Sequence, residues 1–153
     1  MDLTYKRATK EDLDILTETR IKVLRAANKL SDDVDMNIVK QQTYNYYKTA
    51  LDMGNHIAYL IFDDNIFVGA GGVSFFQVMP TCSNSTGNKG YIMNMYTNPR
   101  YRRKGVALKT LGILVEESKR RGVTDISLEA TQMGRPLYEK FGFIAMNNEM
   151  KLE

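Results

Sequence analysis

Hydrophobic and polar positions follow two different periods along this chain. Five segments are short, rich in Ile, Val, Phe and Tyr, and bounded by polar or glycine-containing corners, which is typical of β-strands. They are residues 3–7, 56–62, 66–76, 91–97 and 123–129. The Asp64-Asn65 corner predicts a hairpin between the second and third segments. A last stretch, 143–152, is able to supply one or two further strands.

Four other segments place their apolar residues at helical spacing. Thr9 and Asp12 resemble a capping box before the first, and Gly122 is a natural C-cap for the third. Pro136 stands near the first turn of the fourth. The segments cover about residues 9–27, 35–53, 106–121 and 133–141. The resulting order of elements predicts an α/β fold with a sheet of mixed direction.

Length and composition limit the classes of protein that fit. The 153 residues contain no linker, repeat or low-complexity stretch, so a single domain, 1–153, is expected. The net charge of +3 does not by itself indicate a nucleic-acid partner. The longest apolar run, Ile57–Phe62, is far short of the roughly 20 residues that span a bilayer, so no membrane partner is expected.

Cysteine and histidine are too few for several kinds of site. Cys82 is the single cysteine, which excludes an intrachain disulfide, and the opening MDLTYKRATKED is too charged for a secretory leader. A cytoplasmic location is therefore expected. With one His and one Cys, no cluster has metal-ligand spacing, so we expect no metal.

Positive charge gathers in YRRKGVA, residues 101–107, directly before the third predicted helix. A helix N-terminus presents unpaired backbone N–H groups and a partial positive charge. Gly105 and Ala107 let the oxygens of an anion approach that backbone. The pattern favours a phosphate, and a diphosphate more than a single one. The loops GxGxxG and GxxxxGK(S/T) are absent, which disfavours dinucleotide and nucleoside triphosphate sites.

The run Arg102-Arg103-Lys104-Gly105-Val106-Ala107 resembles the acetyl-CoA signature of the GNAT superfamily of acetyltransferases, Q/R-x-x-G-x-G/A. Pro99 precedes the turn, as in much of the family, and a second family element, LYEKFGF, follows at 137–143. The order of elements is similar over most of the chain. The resemblance implies a mixed, mostly antiparallel central sheet of about six to seven strands, flanked by about four helices.

The resemblance also implies a function. It is that of an acetyl-CoA-dependent N-acetyltransferase, which moves acetyl to a primary amine, here of a small molecule, by direct transfer in a ternary complex. The alternatives are a protein or peptide N-acetyltransferase and a non-catalytic acyl-CoA-binding sensor domain. A nucleic-acid partner is not expected. A homodimer stays open, since members of the family often pair.

Roles for individual residues follow from the same resemblance. In the family, the backbone N–H groups of the signature turn bind the pyrophosphate of CoA, and the preceding strand offers backbone hydrogen bonds to pantetheine. The matching turn residues are Arg103, Lys104, Gly105, Val106 and Ala107, with Arg102 at the first signature position. The matching strand residues are Met95, Tyr96 and Thr97.

Three further positions concern the chemistry. Tyr138 occupies the family's general-acid position beside the leaving sulfur, and a phenol of pKa about 10 is protonated at neutral pH. Many members carry an acidic residue on the strand before the signature, where this chain has Asn94, which can orient a water. Thr131 stands where the family often has an asparagine that contacts CoA, and it keeps a hydroxyl.

The sequence leaves the base and the charge of the acceptor open. An amine of pKa about 10.4 is protonated at pH 7, and reaching its free base costs about 4.6 kcal/mol. Glu129 and His56 are candidates for the base, although a strand-end glutamate is usually solvated and a lone histidine usually structural. The acidic segment 32–35 is either a solvated helix start or a surface that attracts a cationic amine.

Overall fold

The computed structural model describes residues 2–153, which form one sheet of five strands in the order β1-β2-β3-β4-β5. The strands are β1 Thr4–Arg7, β2 His56–Asp63, β3 Ile66–Gln77, β4 Asn88–Thr97 and β5 Asp125–Leu128. The pairs from β1 to β4 are antiparallel, and β5 runs parallel to β4. A parallel pair needs a crossover, which a helix supplies here.

Four α-helices accompany the sheet in the described residues, as predicted. They are α1 Leu13–Ala27, α2 Asn37–Met53, α3 Val106–Arg120 and α4 Arg135–Phe141. The capping box is present, since the Thr9 N–H donates to Asp12 Oδ2 at 2.8 Å before a short 3₁₀ turn that leads into α1. Among residues 2–153, no helix is both long enough and apolar enough to cross a membrane.

The prediction of six to seven strands is wrong, because residues 142–153 form no strand. Phe143 packs against the core, but the later apolar side chains stay exposed. Those exposed side chains are Ile144, Met146, Met150 and Leu152. Strand pairing in so short a segment must bury side chains to offset the cost of ordering the backbone, and this segment buries too few.

The sheet separates two apolar layers. On one face, α3 and α4 pack over a cluster that includes Ile57 and Ile92. On the other face, α1 and α2 pack over a cluster that includes Ala58 and Leu60. The alternation of β2 side chains between the two faces follows from the period of two in a strand. Each fully buried aliphatic side chain contributes about 1.5–3 kcal/mol to folding.

A β-bulge interrupts β4. Ala70 of β3 pairs with Tyr96, whereas Gly72 pairs with Met93, so β4 has one residue more than β3 over this interval. Asn94 lies within the bulge and has a left-handed φ of 61°. The extra residue changes which side chains share a face.

The bulge turns two consecutive side chains toward α1 and α2. Met93 Sδ accepts a hydrogen bond from Ser74 at 3.6 Å, and Asn94 Oδ1 accepts one from Arg20 of α1 at 3.0 Å. Ile92 and Met95, on either side, pack with the α3 cluster instead. The bulged part of β4 therefore presents side chains to both layers of the protein.

Gly71 allows the close packing on the α3 side of this bulge. A Cβ at this position would lie 2.7 Å from Met95 Sδ and 2.7 Å from Thr110 Cγ2. Both distances are shorter than van der Waals contact, so a larger residue would displace Met95 or α3.

Candidate active site

A short 3₁₀ helix, Pro99–Tyr101, anchors the turn that precedes α3. The Asn98 side chain caps it by accepting a hydrogen bond from the Arg100 N–H at 3.1 Å. The buried Tyr101 donates its hydroxyl to Asp63 Oδ2 at 2.6 Å, which raises the pKa of Tyr101. The turn is thereby attached to the end of β2.

The turn itself is concave and lined with backbone N–H groups. Arg103 and Gly105 have left-handed φ values of 63° and 81°, one on each side of Lys104. The first hydrogen bond of α3 runs from the Lys109 N–H to the Gly105 carbonyl, at 3.0 Å. Within residues 2–153, the N–H groups of residues 103–108 donate to no acceptor. Such a row of free N–H groups at a helix N-terminus binds anions.

The space in front of the turn is open and positively charged. A Cβ on Gly105 would meet no atom within 4 Å. The side chains of Arg102, Arg103 and Lys104 are exposed, and in the described part of the chain none of them forms an ion pair with a carboxylate. Lys104 Nζ lies 5.7 Å from the centre of the Tyr101 ring. The charge is therefore free to meet a phosphate.

β4 and β5 pair over only part of their length. Their register begins at Lys89 with Asp125 and ends at Ile92 with Leu128. Beyond that point β4 is paired with β3 on one side, and no described strand covers its other edge. The edge belongs to Met95, Tyr96 and Thr97. Its backbone groups are available to the amides of an extended ligand.

Tyr138 lies on the α3 side of this edge. It is 9% exposed, shares a side-chain cluster with Ile92 and Leu114, and packs edge-on against Phe143 with ring centres 6.1 Å apart. Burial raises the pKa of Tyr138 above its ordinary value of 10.0. The phenol is therefore protonated at neutral pH and is able to donate a proton.

A groove of about 610 Å³ runs along the outer side of β5. Tyr138 and Phe143 form part of its wall, together with Ile126 and Leu128 of β5. No residue of the turn before α3 lines it. The groove is therefore separate from the turn before α3.

Thr131 closes the turn that starts α4. Its hydroxyl accepts a hydrogen bond from the Gly134 N–H at 3.1 Å, and its carbonyl accepts one from the Arg135 N–H at 2.9 Å. The Thr131 side chain is exposed. Its predicted contact with CoA stays a prediction, and its hydroxyl already has a local partner.

Asn94 lies on the opposite face from Tyr138, toward α1. Its side-chain oxygen accepts the hydrogen bond from Arg20 Nη1 described above. An amide whose oxygen is occupied in this way offers its N–H groups as donors. Arg20 was not identified from the sequence, although it interrupts the apolar face of α1 one turn from both Leu16 and Leu24.

His56 is buried beside the same face and is 5% exposed. The Tyr46 hydroxyl lies 2.9 Å from its Nδ1, and within residues 2–153 its Nε2 has no hydrogen-bond partner. Burial, and secondly the charge of Arg20, lower the pKa of His56 to about 4. His56 is therefore neutral at pH 7, and it packs edge-on against Tyr46 and Tyr47.

Comparisons with known proteins agree with this geometry. The acetyltransferase (GNAT) family matches residues 25–143. The crystal structure of a predicted acetyltransferase with acetyl-CoA from Clostridium acetobutylicum is 30% identical and superposes with a TM-score of 0.90, covering 99% of this chain and 96% of that one.

Two curated relatives match parts of the chain. The uncharacterized N-acetyltransferase YsnE of Bacillus subtilis is 42% identical over 59 residues, 35% of this chain and 39% of that protein. The glucosamine 6-phosphate N-acetyltransferase of Trypanosoma brucei brucei is 27% identical over 82 residues, 54% of this chain and 56% of that protein. The chain thus spans 39% to 56% of the length of these relatives. On the evidence of the family match and the fold, the chain belongs to the GNAT family of acetyltransferases.

Proposed function

We propose that this chain is an acetyl-CoA-dependent N-acetyltransferase that acts on a primary amine of a small molecule. The observation that carries the proposal is the concave turn of Arg103 to Gly105, with its free N–H groups and unpaired cations. The turn fits the pyrophosphate of CoA, and the open edge of β4 fits the amides of pantetheine. Acetyl-CoA supplies the acetyl group as an activated thioester.

The acetyl donor and the acceptor amine are proposed to lie on opposite faces of β4. Tyr138 lies on the α3 side of the sheet, and the turn with the free N–H groups leads directly into α3. Met93 and Asn94 face α1 and α2, the side from which the amine arrives. We place the reaction at the gap beyond Ile92 and Leu128, where the pairing of β4 with β5 ends.

The transfer forms a C–N bond and breaks the C–S bond of the thioester. Tyr138 donates its proton to the departing sulfur and is reprotonated from solvent. The amine gives up a proton to water, because Asn94 is not a proton acceptor and a His56 of pKa about 4 is too weak a base to hold that proton. The amine must therefore attack the thioester in its free-base form.

The helices that cover the acceptor side of the sheet support a small acceptor. The helices α1 and α2 pack over this face of the sheet, and Tyr47 of α2 is buried there. A peptide acceptor needs an open groove instead. The name of one relative, a glucosamine 6-phosphate N-acetyltransferase, also describes a small amine as its substrate.

The test measures free CoA released from acetyl-CoA in the presence of polyamines, amino sugars, amino acids or short peptides. Wild-type protein is expected to release CoA with one class of small amine. Tyr138→Phe should lower kcat by about 10²-fold or more, with the KM for acetyl-CoA little changed. Tyr5→Phe is the matched control, since its hydroxyl also has a pKa raised by burial but lies on β1, at the far edge of the sheet.

Other results would change the assignment. Release with peptides alone would favour a protein or peptide acetyltransferase. Tight binding of acetyl-CoA with no release for any amine would favour a sensor domain. Equal loss of activity in Tyr138→Phe and Tyr5→Phe would remove Tyr138 from the mechanism.

A further inference from the structure

Arg20 brings a positive charge to the acceptor side of β4. It lies in the middle of α1, one turn from Leu16 and one turn from Leu24, so the helix directs it toward the sheet. Its side chain is half-buried, and its Nη1 donates to Asn94 Oδ1 at 3.0 Å. The guanidinium therefore lies next to the bulge at which the gap between β4 and β5 opens.

This charge has no acidic partner in the described chain. The ion pairs formed by residues 2–153 involve other cations, and none includes Arg20. The hydrogen bond to Asn94 is the one that its guanidinium makes with described residues, which leaves four of five N–H groups to be satisfied by water or a ligand. A half-buried cation without a counter-charge is costly, and burial lowers the pKa of Arg20.

The neighbours of Arg20 do not neutralise it. Burial raises the pKa of Tyr47 to about 12 and, with the charge of Arg20, lowers the pKa of His56 to about 4. Both side chains are uncharged at pH 7, and so is Asn94. The acidic segment 32–35 lies in an exposed turn, where Asp35 accepts a hydrogen bond from the Asn37 N–H at 2.9 Å. The side chains that lie against Arg20 therefore leave its positive charge uncompensated.

We propose that Arg20 binds an oxyanion, a carboxylate or a phosphate, that the acceptor carries in addition to its amino group. The inference rests on the proposed acetyl transfer and narrows its substrate to amines such as amino acids or amino-sugar phosphates. The planar guanidinium matches these groups because it offers two parallel N–H donors, whereas an ammonium is a point charge. Its bond to Asn94 fixes its position beside the gap.

Matched pairs of amines test this proposal. Glucosamine 6-phosphate is compared with glucosamine, and lysine with cadaverine, which lacks its carboxylate. Wild-type protein should acetylate one of the anionic members with a kcat/KM about 10- to 100-fold above its partner, since hydrogen bonds between charged groups have this magnitude. The pair that shows the preference distinguishes a phosphate from a carboxylate.

Three variants separate recognition from folding. Arg20→Gln should bring the ratio within each pair close to one, mainly through the KM of the anionic member. Arg20→Lys should retain part of a preference for phosphate and less of one for carboxylate. Lys22→Gln, an exposed position on the same helix, should change neither ratio. Arg20→Gln should also melt at or above the temperature of the wild type, because it removes an uncompensated charge.

The outcomes separate this proposal from the proposed function. A wild-type preference for the uncharged or cationic members, or an equal loss for both members in Arg20→Gln, would overturn the anion site while leaving acetyl transfer intact. If no amine is acetylated, acetyl transfer is overturned, and calorimetry of the same pairs with CoA-loaded protein decides the anion site alone. If the anionic members bind to the wild type and not to Arg20→Gln, the anion site is supported. If they bind equally well to both proteins, the anion site is overturned.

Discussion

Replacement of Gly105 by alanine should separate anion binding from stability. Gly105 has a φ of 81°, and an added Cβ would meet no atom within 4 Å, so the methyl causes backbone strain but no clash. A left-handed conformation costs a residue other than glycine about 1–2 kcal/mol. Alanine also reduces the conformational freedom of the unfolded chain, which increases the free energy of unfolding by about 0.4–1 kcal/mol. We therefore expect a net loss near 1 kcal/mol, or about 2–4 °C in Tm.

The same chain offers a matched control at the other end of α3. Gly122 has a φ of 80°, and a Cβ there would also meet nothing within 4 Å. Gly122→Ala should therefore lose about as much stability as Gly105→Ala. It lies at a helix C-terminus, where free carbonyls and a partial negative charge repel phosphate. The two variants thus share the strain and differ in the anion site.

The expected loss of affinity follows from the free N–H groups in the turn. A methyl at Gly105 projects into the open space before α3 and keeps phosphate oxygens away from the backbone. A hydrogen bond to a charged group contributes about 1.5–3 kcal/mol, so loss of one raises the Kd about 10- to 150-fold. Gly122→Ala should leave the Kd for acetyl-CoA within about twofold of the wild type.

Calorimetric titration with acetyl-CoA, together with thermal unfolding of both variants, measures these effects. Wild-type affinity in Gly105→Ala would show that the turn does not hold the phosphates through its backbone. An equal loss of affinity in both variants would show that backbone strain alone accounts for the effect.

Other predictions concern packing, anchoring and pH. Gly71→Ala should lose about 1–3 kcal/mol of stability in denaturant unfolding, since its Cβ would overlap Met95; unchanged stability would contradict the packing. Tyr101→Phe should lower the stability by about 1–2 kcal/mol because it removes the 2.6 Å hydrogen bond to Asp63, and a wild-type Tm would argue against that anchor. The pKa of His56, about 4 when folded and 6.5 when unfolded, means that the unfolded chain binds more protons between these values. Stability should therefore fall by about 2 kcal/mol between pH 7 and pH 5, and His56→Asn should flatten this slope. With saturating acetyl-CoA, kcat/KM for an amine should rise about tenfold per pH unit below the pKa of that amine, whereas a plateau near pH 7 would indicate a base within the protein.

The elements predicted from the sequence are those that depend on local rules. Thr9 and Asp12 form their capping box, and α3 begins at Val106, directly after the glycine of the signature. Residues 143–152 failed as strands because strand formation depends on a partner edge, which local alternation does not reveal. Gly69, Gly71 and Gly72 of β3 indicate a bulge or a close approach of a ligand, and the register does shift between Ala70 and Gly72. The sequence does not show that the extra residue is Asn94 of β4, because that depends on pairing with β3.

Part of the candidate site was likewise visible in the sequence, and part of it depends on the fold. The turn before α3 is contiguous in sequence, so its glycine and its cations were visible together. The strict alternation of a strand would place Asn94 opposite both of its neighbours, whereas the bulge turns Met93 and Asn94 to one face. Arg20 was missed because 74 residues separate it from Asn94. Its one sequence signal was a cation within the apolar face of α1.

In the proposed mechanism, acetyl passes directly from the thioester to the amine of the bound acceptor. The most direct test mixes protein loaded with acetyl-CoA, labelled with ¹³C at the acetyl carbonyl, with the best acceptor of the amine panel. Direct transfer predicts that the amide signal appears at the rate at which the thioester carbonyl signal disappears, while intact-mass spectra show no acetylated protein. A thioester signal that persists, or an acetyl adduct that forms on the protein before the amide, would contradict it.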